Sequence, residues 1–393
     1  MKTNINIFQG TATHLEKVED ESVDLVVTSP PYPMIEMWDE IFAAQDTEIS
    51  SCLANGRGHD AFELMHGVLD KAWAEMHRVL RPGGIACINI GDATRTFDGD
   101  FQLYSNHSRI LTSFLNLGFA ALPDILWRKP TNAPNKFMGS GMLPGGAYVT
   151  YEHEYILVLR KGRRRDFTAA EDKECRRKSA FFWEERNVWF SDIWFDIKGT
   201  GQDLIDKTTR QRRAAYPFEL AYRLICMFSV QGDVVLDPFA GTGTTLAAAL
   251  TSGRNAVGIE FDETLLPEIG ALLQSMAAFT ESYNRDRLWR HIQFVADRSA
   301  DIGPLKYNNN YYGFPVMTAQ ERDLLVPEVK TIKEHRKTEF AISYHDRPQP
   351  EFVREWSRDE IVQCVEGPPT IDLYSQKRRS PRLTKKVQAQ SQL

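Results

Sequence analysis

Two short apolar runs organise the chain, Val23-Asp24-Leu25-Val26-Val27 and Val234-Val235-Leu236, and each stops abruptly at a loop of small and rigid residues. Uninterrupted runs of this length bounded by turn signals predict buried strands. Around the first, the pattern predicts a strand over Glu21 to Val27, an amphipathic helix over Ala61 to Val79, a turn at Arg81-Pro82-Gly83-Gly84 and a second strand over Ile85 to Ile90. A helix over Ser108 to Leu117 follows, then apolar stretches at Ile125 to Trp127 and Tyr155 to Leu159, with a Pro/Gly/Asn-rich loop from Lys129 to Tyr148 between them. So long a loop is more often functional than idle. The second half alternates in the same way: helix Pro217 to Phe228, strand Val234 to Leu236, helix Thr244 to Thr251, strand Ala256 to Ile259. Strands alternating with helices predict an α/β fold on a mixed, mostly parallel sheet with helices on both faces.

Between the halves the composition shifts. Arg163-Arg164-Arg165 and Arg176-Arg177-Lys178 are followed by Phe181, Phe182, Trp183, Trp189, Phe190, Trp194 and Phe195. This divides the chain into residues 1–160, 161–200, 201–302 and 303–393, the last opening a helix with a capping box at Thr318 and Glu321 and closing on a basic polar stretch from Lys377 that reads as disordered. No internal repeat is found.

Bulk properties narrow the classes. With 393 residues, the chain can bury one large core or two domains, and it has neither a signal-peptide-like start nor an apolar run long enough to span a bilayer. Cys52, Cys87, Cys175, Cys226 and Cys364 are scattered, odd in number and never spaced Cys-x-x-Cys, which argues for reduced thiols in the cytoplasm and against a disulfide framework or a metal site. A net charge of −6 is the wrong sign for a protein that binds nucleic acid over its whole surface, so any such surface is local.

The loop Asp237-Pro238-Phe239-Ala240-Gly241-Thr242-Gly243-Thr244-Thr245 has the chemistry of a nucleotide-like cofactor site. Glycines after a strand let the backbone approach a ligand, the following helix offers free N–H groups, and Glu260, at the end of the next strand, is placed for a ribose hydroxyl pair. Leu246 stands where a dinucleotide fingerprint wants a third small residue, and the lysine of a phosphate-binding loop is absent.

The loop Thr28-Ser29-Pro30-Pro31-Tyr32 suits a different task. An exocyclic amino group on a base is a poor nucleophile because its lone pair is delocalised into the ring, so a catalyst must hold its hydrogens with acceptors that favour a pyramidal nitrogen. The Ser29 hydroxyl and the Pro30 carbonyl can supply them, Pro30 and Pro31 stiffen the loop and remove backbone donors, and Tyr32 offers a flat face for an extruded base. Rate would come mainly from positioning nitrogen and methyl group in line.

With both motifs in this order, the chain resembles the S-adenosylmethionine-dependent DNA amino-methyltransferases of the permuted β group over residues 5 to 262. The likeness extends to His77-Arg78-Val79-Leu80-Arg81-Pro82-Gly83-Gly84, Trp127-Arg128-Lys129-Pro130, Glu152-His153-Glu154-Tyr155 with Arg160-Lys161-Gly162, and Tyr216-Pro217-Phe218-Glu219-Leu220. The resemblance implies a Rossmann-like methyltransferase fold and S-adenosyl-L-methionine as cofactor. Residues 1–160 would then be the catalytic half, 161–200 a target-recognition region, 201–302 the cofactor-binding half and 303–393 a C-terminal extension. It assigns Ser29, Pro30, Pro31 and Tyr32 to catalysis. Asp237, Phe239, Ala240, Gly241, Gly243, Thr244 and Glu260 would surround the cofactor, with Thr28, Thr11 and Tyr216 beside it. Two positions depart from the pattern: Gly10-Thr11 replaces the usual Gly-Asp that meets the cofactor adenine, and Arg212-Arg213 replaces His-Pro.

A serine opening the catalytic motif resembles the enzymes that modify cytosine at N4, whereas aspartate is usual for adenine N6, which is the alternative. Double-stranded DNA is the implied partner, with a restriction endonuclease acting separately. Arg163, Arg164, Arg165, Arg176, Arg177 and Lys178 are the first candidates for phosphate contact, interleaved with Phe181, Phe182 and Trp183 for stacking; the loop Asn132 to Tyr148 and the insertion Gln45 to Asp60 are the second. The aromatic cluster from Trp189 to Phe195 reads as core. An RNA base methyltransferase and a noncatalytic nucleic-acid-binding relative are the competing classes, and an NAD-dependent oxidoreductase is a distant one.

Overall fold

The computed structural model describes residues 1–97, 99–129, 138–198 and 216–357. Eleven strands of these form one sheet: β1 Lys2–Gln9, β2 Val23–Thr28, β3 Leu80–Ile90, β4 Phe119–Ala121, β5 Ile125–Arg128, β6 His153–Lys161, β7 Ile193–Trp194, β8 Val234–Asp237, β9 Asn255–Glu260, β10 Val329–Arg336 and β11 Glu339–Tyr344. Their spatial order is β7-β5-β6-β3-β2-β8-β9-β1-β11-β10, with β4 pairing β6. The five central strands β3, β2, β8, β9 and β1 are parallel, while β6, β4 and β11 join antiparallel. All five central strands therefore end on one side. The residues that follow them, Gly91, Ser29, Pro238, Phe261 and Gly10, gather at that carboxyl edge, and β6, running the other way, begins there with His153 and Glu154.

The predicted parallel centre is covered on both faces, which is why its strands read as unbroken apolar runs. Leu25, Val27, Ile156 and Val158 face helices α3 Phe218–Phe228 and α4 Thr244–Thr251 and the start of α5 Leu266–Ile302. Val26, Ile88, Leu157 and Leu159 face the other way, against α1 Gly58–Val79 and α2 Asn106–Asn116. In α1 the buried positions Ala61, Met65, Val68, Leu69, Ala72, Trp73, Met76 and Val79 make the stripe that its periodicity predicted. Helix α4 is buried all round, packed against α3, α5 and the sheet.

Four differences from the sequence-based expectations have local causes. Arg81-Pro82-Gly83-Gly84 is not a separate turn but an irregularity inside β3, where the register with β2 jumps from Val23/Leu80 to Leu25/Ile85 and Gly83 takes φ +87°. The polar alternation of Lys2–Gln9 conceals the strand β1, which is sheltered between β9 and β11. The capping box at Thr318 and Glu321 exists, but it starts a single 3-10 turn, Ala319–Glu321, because Leu324 and Val326 are then drawn into a third core with Phe182, Leu288, Ile292, Tyr312, Phe314 and Phe352. Beyond Gly303, where the sequence marked only a helix and a polar tail, the chain also forms two strands of the sheet. Its hairpin β10–β11 extends the sheet past β1, with charged Lys330, Lys333, Glu334 and Arg336 on the outermost strand, a composition that discourages edge-to-edge pairing. Among the described residues no helix is long and apolar enough to cross a membrane, Cys52, Cys87, Cys175 and Cys226 are free thiols, and the segments holding Cys364, Arg212-Arg213 and the basic tail from Lys377 lie outside them.

Candidate active site

The two motif loops meet through a buried carboxylate. Asp237, the last residue of β8, accepts the Thr28 hydroxyl on Oδ1 at 2.6 Å and the Phe239 N–H on the same oxygen at 3.1 Å. Its Oδ2 takes the Thr245 hydroxyl at 2.5 Å and the Tyr216 hydroxyl at 3.3 Å. Tyr216 and Thr245 also touch each other. Burial pushes the Asp237 carboxyl up from its ordinary range, and the Thr245, Thr28, Phe239 and Tyr216 hydrogen bonds oppose that shift. Asp237, Thr28 and Tyr216 thus form a bracket beneath the site, clamping the end of β2, the end of β8 and the first turn of α4.

Above the bracket the chain turns through Gly241 (φ +51°) and Gly243 (φ +84°), the latter capping α4. At Gly243 a Cβ would lie 2.8 Å from Ile269 Cγ2, so only glycine fits there. At Gly241 it would meet only the Phe239 carbonyl at 3.9 Å, leaving open space beside the turn. Glu260, ending β9, accepts the Gly241 N–H on Oε2 at 2.7 Å and the Asp262 N–H on Oε1 at 2.8 Å. Phe239 packs against the core on the α1 side of the sheet, and Ala240 is buried with its N–H on the Ile259 carbonyl at 2.9 Å. Thr11 lies just past β1, next to β9, where Gly10 N–H reaches the Glu260 carbonyl at 3.0 Å; its hydroxyl pairs with that of Thr13 at 3.0 Å.

Ser29 and Tyr32 belong to a second network. The Ser29 hydroxyl donates to Tyr32 Oη at 3.0 Å, and the Tyr32 hydroxyl donates to Glu154 Oε2 at 3.0 Å. Asn89 Nδ2 donates to Tyr32 Oη at 2.9 Å and to Glu154 Oε2 at 2.7 Å, and Lys129 Nζ donates to Glu154 Oε1 at 2.6 Å. Burial first, then the Glu154 charge, lifts the Tyr32 hydroxyl well above its usual range, so the phenol stays protonated. The ring packs over Gly91, whose missing Cβ would stand 3.0 Å from Tyr32 Cε2. Pro30 is buried, and Asn106, itself fully buried, holds the Pro33 and Gly91 carbonyls at 3.1 and 3.0 Å while its Oδ1 meets His66 Nε2 at 3.0 Å. Sequence reasoning missed Asn89 and Asn106, and read Lys129 and Glu154 only as parts of family stretches. The available signal was the polar Asn89 inside the apolar run Ile85 to Ile90 and the acid opening the run at Tyr155.

The basic runs lie elsewhere. Arg165 binds Asp24 Oδ1 at 3.0 Å and Asp233 Oδ2 at 2.7 Å, residues at the starts of β2 and β8, and Gly83, near the start of β3, touches the backbone of Arg163 and Arg165. This is the amino edge of the sheet, opposite the loop that carries Ser29. Arg176 lies over Phe167, Arg177 pairs with Asp323 and Lys178 with Glu174, while Arg163 and Arg164 are exposed at the same edge. Phe182 is fully buried and stacked on His291, with ring centroids 3.7 Å apart, so it is closed to a base. Trp189 and Trp194 are core, as expected, whereas Phe195 is exposed. The segments that do reach the carboxyl edge are the insertion carrying helices Asp39–Ala43 and Glu48–Ala54, and the small hairpin of Met138–Gly139 with Ala147–Tyr148, where Tyr148 stacks on Phe101 at 4.6 Å. Pro130 to Lys136 and the adjoining Phe137 of that loop lie outside the described residues.

Comparison with known proteins gives the family. Residues 23–270 match the DNA methylase family. The Type II methyltransferase M.MthZI of Methanothermobacter thermautotrophicus is 46% identical over 347 residues, covering 88% of this chain and 96% of that protein. M.MjaI of Methanocaldococcus jannaschii, also a Type II methyltransferase, is 49% identical over 278 residues, 68% of this chain and 90% of its own length. Among solved structures, TTHA0409 of Thermus thermophilus, crystallised with S-adenosyl-L-methionine, superposes with a TM-score of 0.53 at 32% identity, covering 69% of this chain and 95% of that one. The bracketed loops at the carboxyl edge and the match across both of them lead to one conclusion: this chain belongs to the DNA methylase family.

Proposed function

We propose that this DNA methyltransferase moves a methyl group from S-adenosyl-L-methionine to the exocyclic N4 of a cytosine extruded from duplex DNA at a specific sequence. The observation that carries this reading is the Asp237 bracket, which ties the loop suited to an amino group directly to the loop suited to the methyl donor. The donor site fits its ligand on this chain's own features: open space beside Gly241, a carboxylate at the end of β9, and an adenine-side position beside Thr11 where a hydroxyl stands in for the usual acid. When bound, the sulfonium supplies an electrophilic methyl carbon.

The residues then have separable roles. Glu260 holds its carboxylate at the mouth of the glycine turn. Ser29 and the Pro30 carbonyl accept the hydrogens of the target amino group, drawing the nitrogen lone pair out of conjugation and towards the methyl. Tyr32, its hydroxyl pinned and its edge against Gly91, presents a fixed ring to the base. Cytosine is favoured over adenine by Ser29 at the head of the motif. The duplex approaches the carboxyl edge, where the Met138–Tyr148 hairpin exposes Met142 and Leu143, rather than the edge where Arg165 is committed to Asp24 and Asp233. The setting is the cytoplasm of a prokaryote, as the modification partner of a restriction endonuclease.

The test is to incubate the protein with unmethylated genomic DNA and methyl-labelled S-adenosyl-L-methionine, digest to nucleosides and identify the product by mass spectrometry. N4-methylcytosine is expected. N6-methyladenine would overturn the base assignment alone, and an unlabelled DNA would overturn the reading.

A further inference from the structure

Methyl transfer onto an amino group leaves a proton to be removed. As the nitrogen lone pair forms its bond to the methyl carbon, the carbon–sulfur bond breaks with its electron pair on sulfur, and the nitrogen becomes a cation with one hydrogen too many. On this chain the hydrogen bonds at Ser29 run in a single direction. Glu154 can only accept, so Tyr32 must donate to it; Tyr32 Oη therefore accepts from Ser29, whose own oxygen keeps its lone pairs to accept. Asn89 enforces that polarity. Its Nδ2 donates to both Tyr32 Oη and Glu154 Oε2, so neither atom can turn to donate in its place.

We propose that Glu154 receives the proton shed by the methylated amine, delivered through Ser29 and Tyr32. The proposal rests on the methyltransferase reading above. The amine proton passes to Ser29 Oγ, the Ser29 proton to Tyr32 Oη and the Tyr32 proton to Glu154 Oε2, so an ammonium and a carboxylate become a neutral amine and a neutral acid with no atom unaccounted for. Tyr32 is held protonated by burial and by the Glu154 charge, so it serves by taking a proton on one side as it releases one on the other. The chain ends near water: Lys129, bound to the second Glu154 oxygen at 2.6 Å, has about half of its side chain exposed (48%). Because it never touches the substrate, Glu154 is a positioning and proton-accepting residue that acts through Tyr32.

The experiment is single-turnover methyl transfer, which isolates chemistry from product release, on wild type, Glu154→Gln, Glu154→Ala, Tyr32→Phe and the double variant Tyr32→Phe/Glu154→Gln. Glu154→Gln keeps the size and one acceptor and is expected to slow the step by roughly a hundred-fold, as loss of a positioned proton acceptor does, with dissociation constants for S-adenosyl-L-methionine and DNA unchanged. Formate added to Glu154→Ala should restore rate, and the double variant should be no slower than the slower single, because both sit on one path. A Glu154→Gln rate within about three-fold of wild type, or a slow Glu154→Ala that formate does not rescue beside an additive double variant, would overturn the relay. Wild-type protein that binds the methyl donor yet labels no base would instead sink the parent reading.

Discussion

Thr28 donates its hydroxyl to Asp237 over 2.6 Å, joining two loops 209 residues apart in the chain. Both partners are buried, so replacing the hydroxyl by a methyl group of the same shape leaves a carboxylate oxygen short of a donor. Thr28→Val is expected to lower stability by about 1–3 kcal/mol and to weaken methyl-donor binding, measured by thermal unfolding with and without S-adenosyl-L-methionine. Unchanged melting in both conditions would mean that the bracket contributes nothing.

Gly91 is the floor under Tyr32. An alanine there would place its Cβ 3.0 Å from Tyr32 Cε2 and 3.3 Å from Glu154 Cγ. Gly91→Ala should cut turnover by about ten- to a hundred-fold through a small displacement of the ring, while S-adenosyl-L-methionine affinity stays within about two-fold of wild type. Steady-state kinetics beside a calorimetric titration would separate the two.

Glu260 shapes the glycine turn by binding the Gly241 N–H at 2.7 Å. Glu260→Ala should weaken S-adenosyl-L-methionine binding by at least about ten-fold, the value of one good charge-assisted hydrogen bond, and leave binding to a DNA duplex intact. Equal titration curves for variant and wild type would remove Glu260 from the cofactor site.

His66 makes folding sensitive to acid. Burial lowers its pKa from 6.5 to about 4 against the pull of its Asn106 bond, so between those values the unfolded chain carries a proton that the folded one refuses. The unfolded state binds more protons, hence stability rises with pH through this window, is fully present above pH 6.5 and is lost as pH falls towards 4, by about 3 kcal/mol. Asp24 acts oppositely: burial, aided by the Asp233 charge, raises it to about 6, so the folded state takes up its proton first. The His66 contribution is therefore read as a difference, in chemical denaturation of wild type and His66→Gln at pH 7 and pH 4.5. A variant with the same pH slope as wild type would refute it.

Arg165 and its neighbours should separate stability from DNA affinity. Arg165→Met strips a cation from Asp24 and Asp233, both nearly fully buried, leaving Arg81 at 2.7 Å from Asp24 as partial compensation. The cost should reach about 3 kcal/mol. Arg163→Ala with Arg164→Ala, exposed at the edge away from Ser29, should shift duplex affinity by less than about two-fold in 0.1 M salt, measured by fluorescence anisotropy. A ten-fold loss would return the basic run to the DNA interface.

The parallel centre of the sheet, the helix faces and both motif loops were legible because each depends on local signals: unbroken apolar runs, the stripe from Ala61 to Val79, glycines where φ must be positive, prolines where a loop must be rigid. These are properties of neighbouring residues, and neighbours are what a sequence displays. The partners of Tyr32 were not. Asn89 and Glu154 stand on adjacent antiparallel strands, and only strand pairing brings them within hydrogen-bond reach of a loop more than fifty residues earlier. The fate of the arginines was equally hidden, since Arg165 looks like any member of a basic run until the topology carries it to the starts of β2 and β8, where Asp24 and Asp233 await a cation. Sequence alone determined where the two loops fall and which polar groups they carry; tertiary structure decided which distant side chains polarise them, because a buried hydrogen bond costs too much to leave unmade and its partner is whatever the fold delivers.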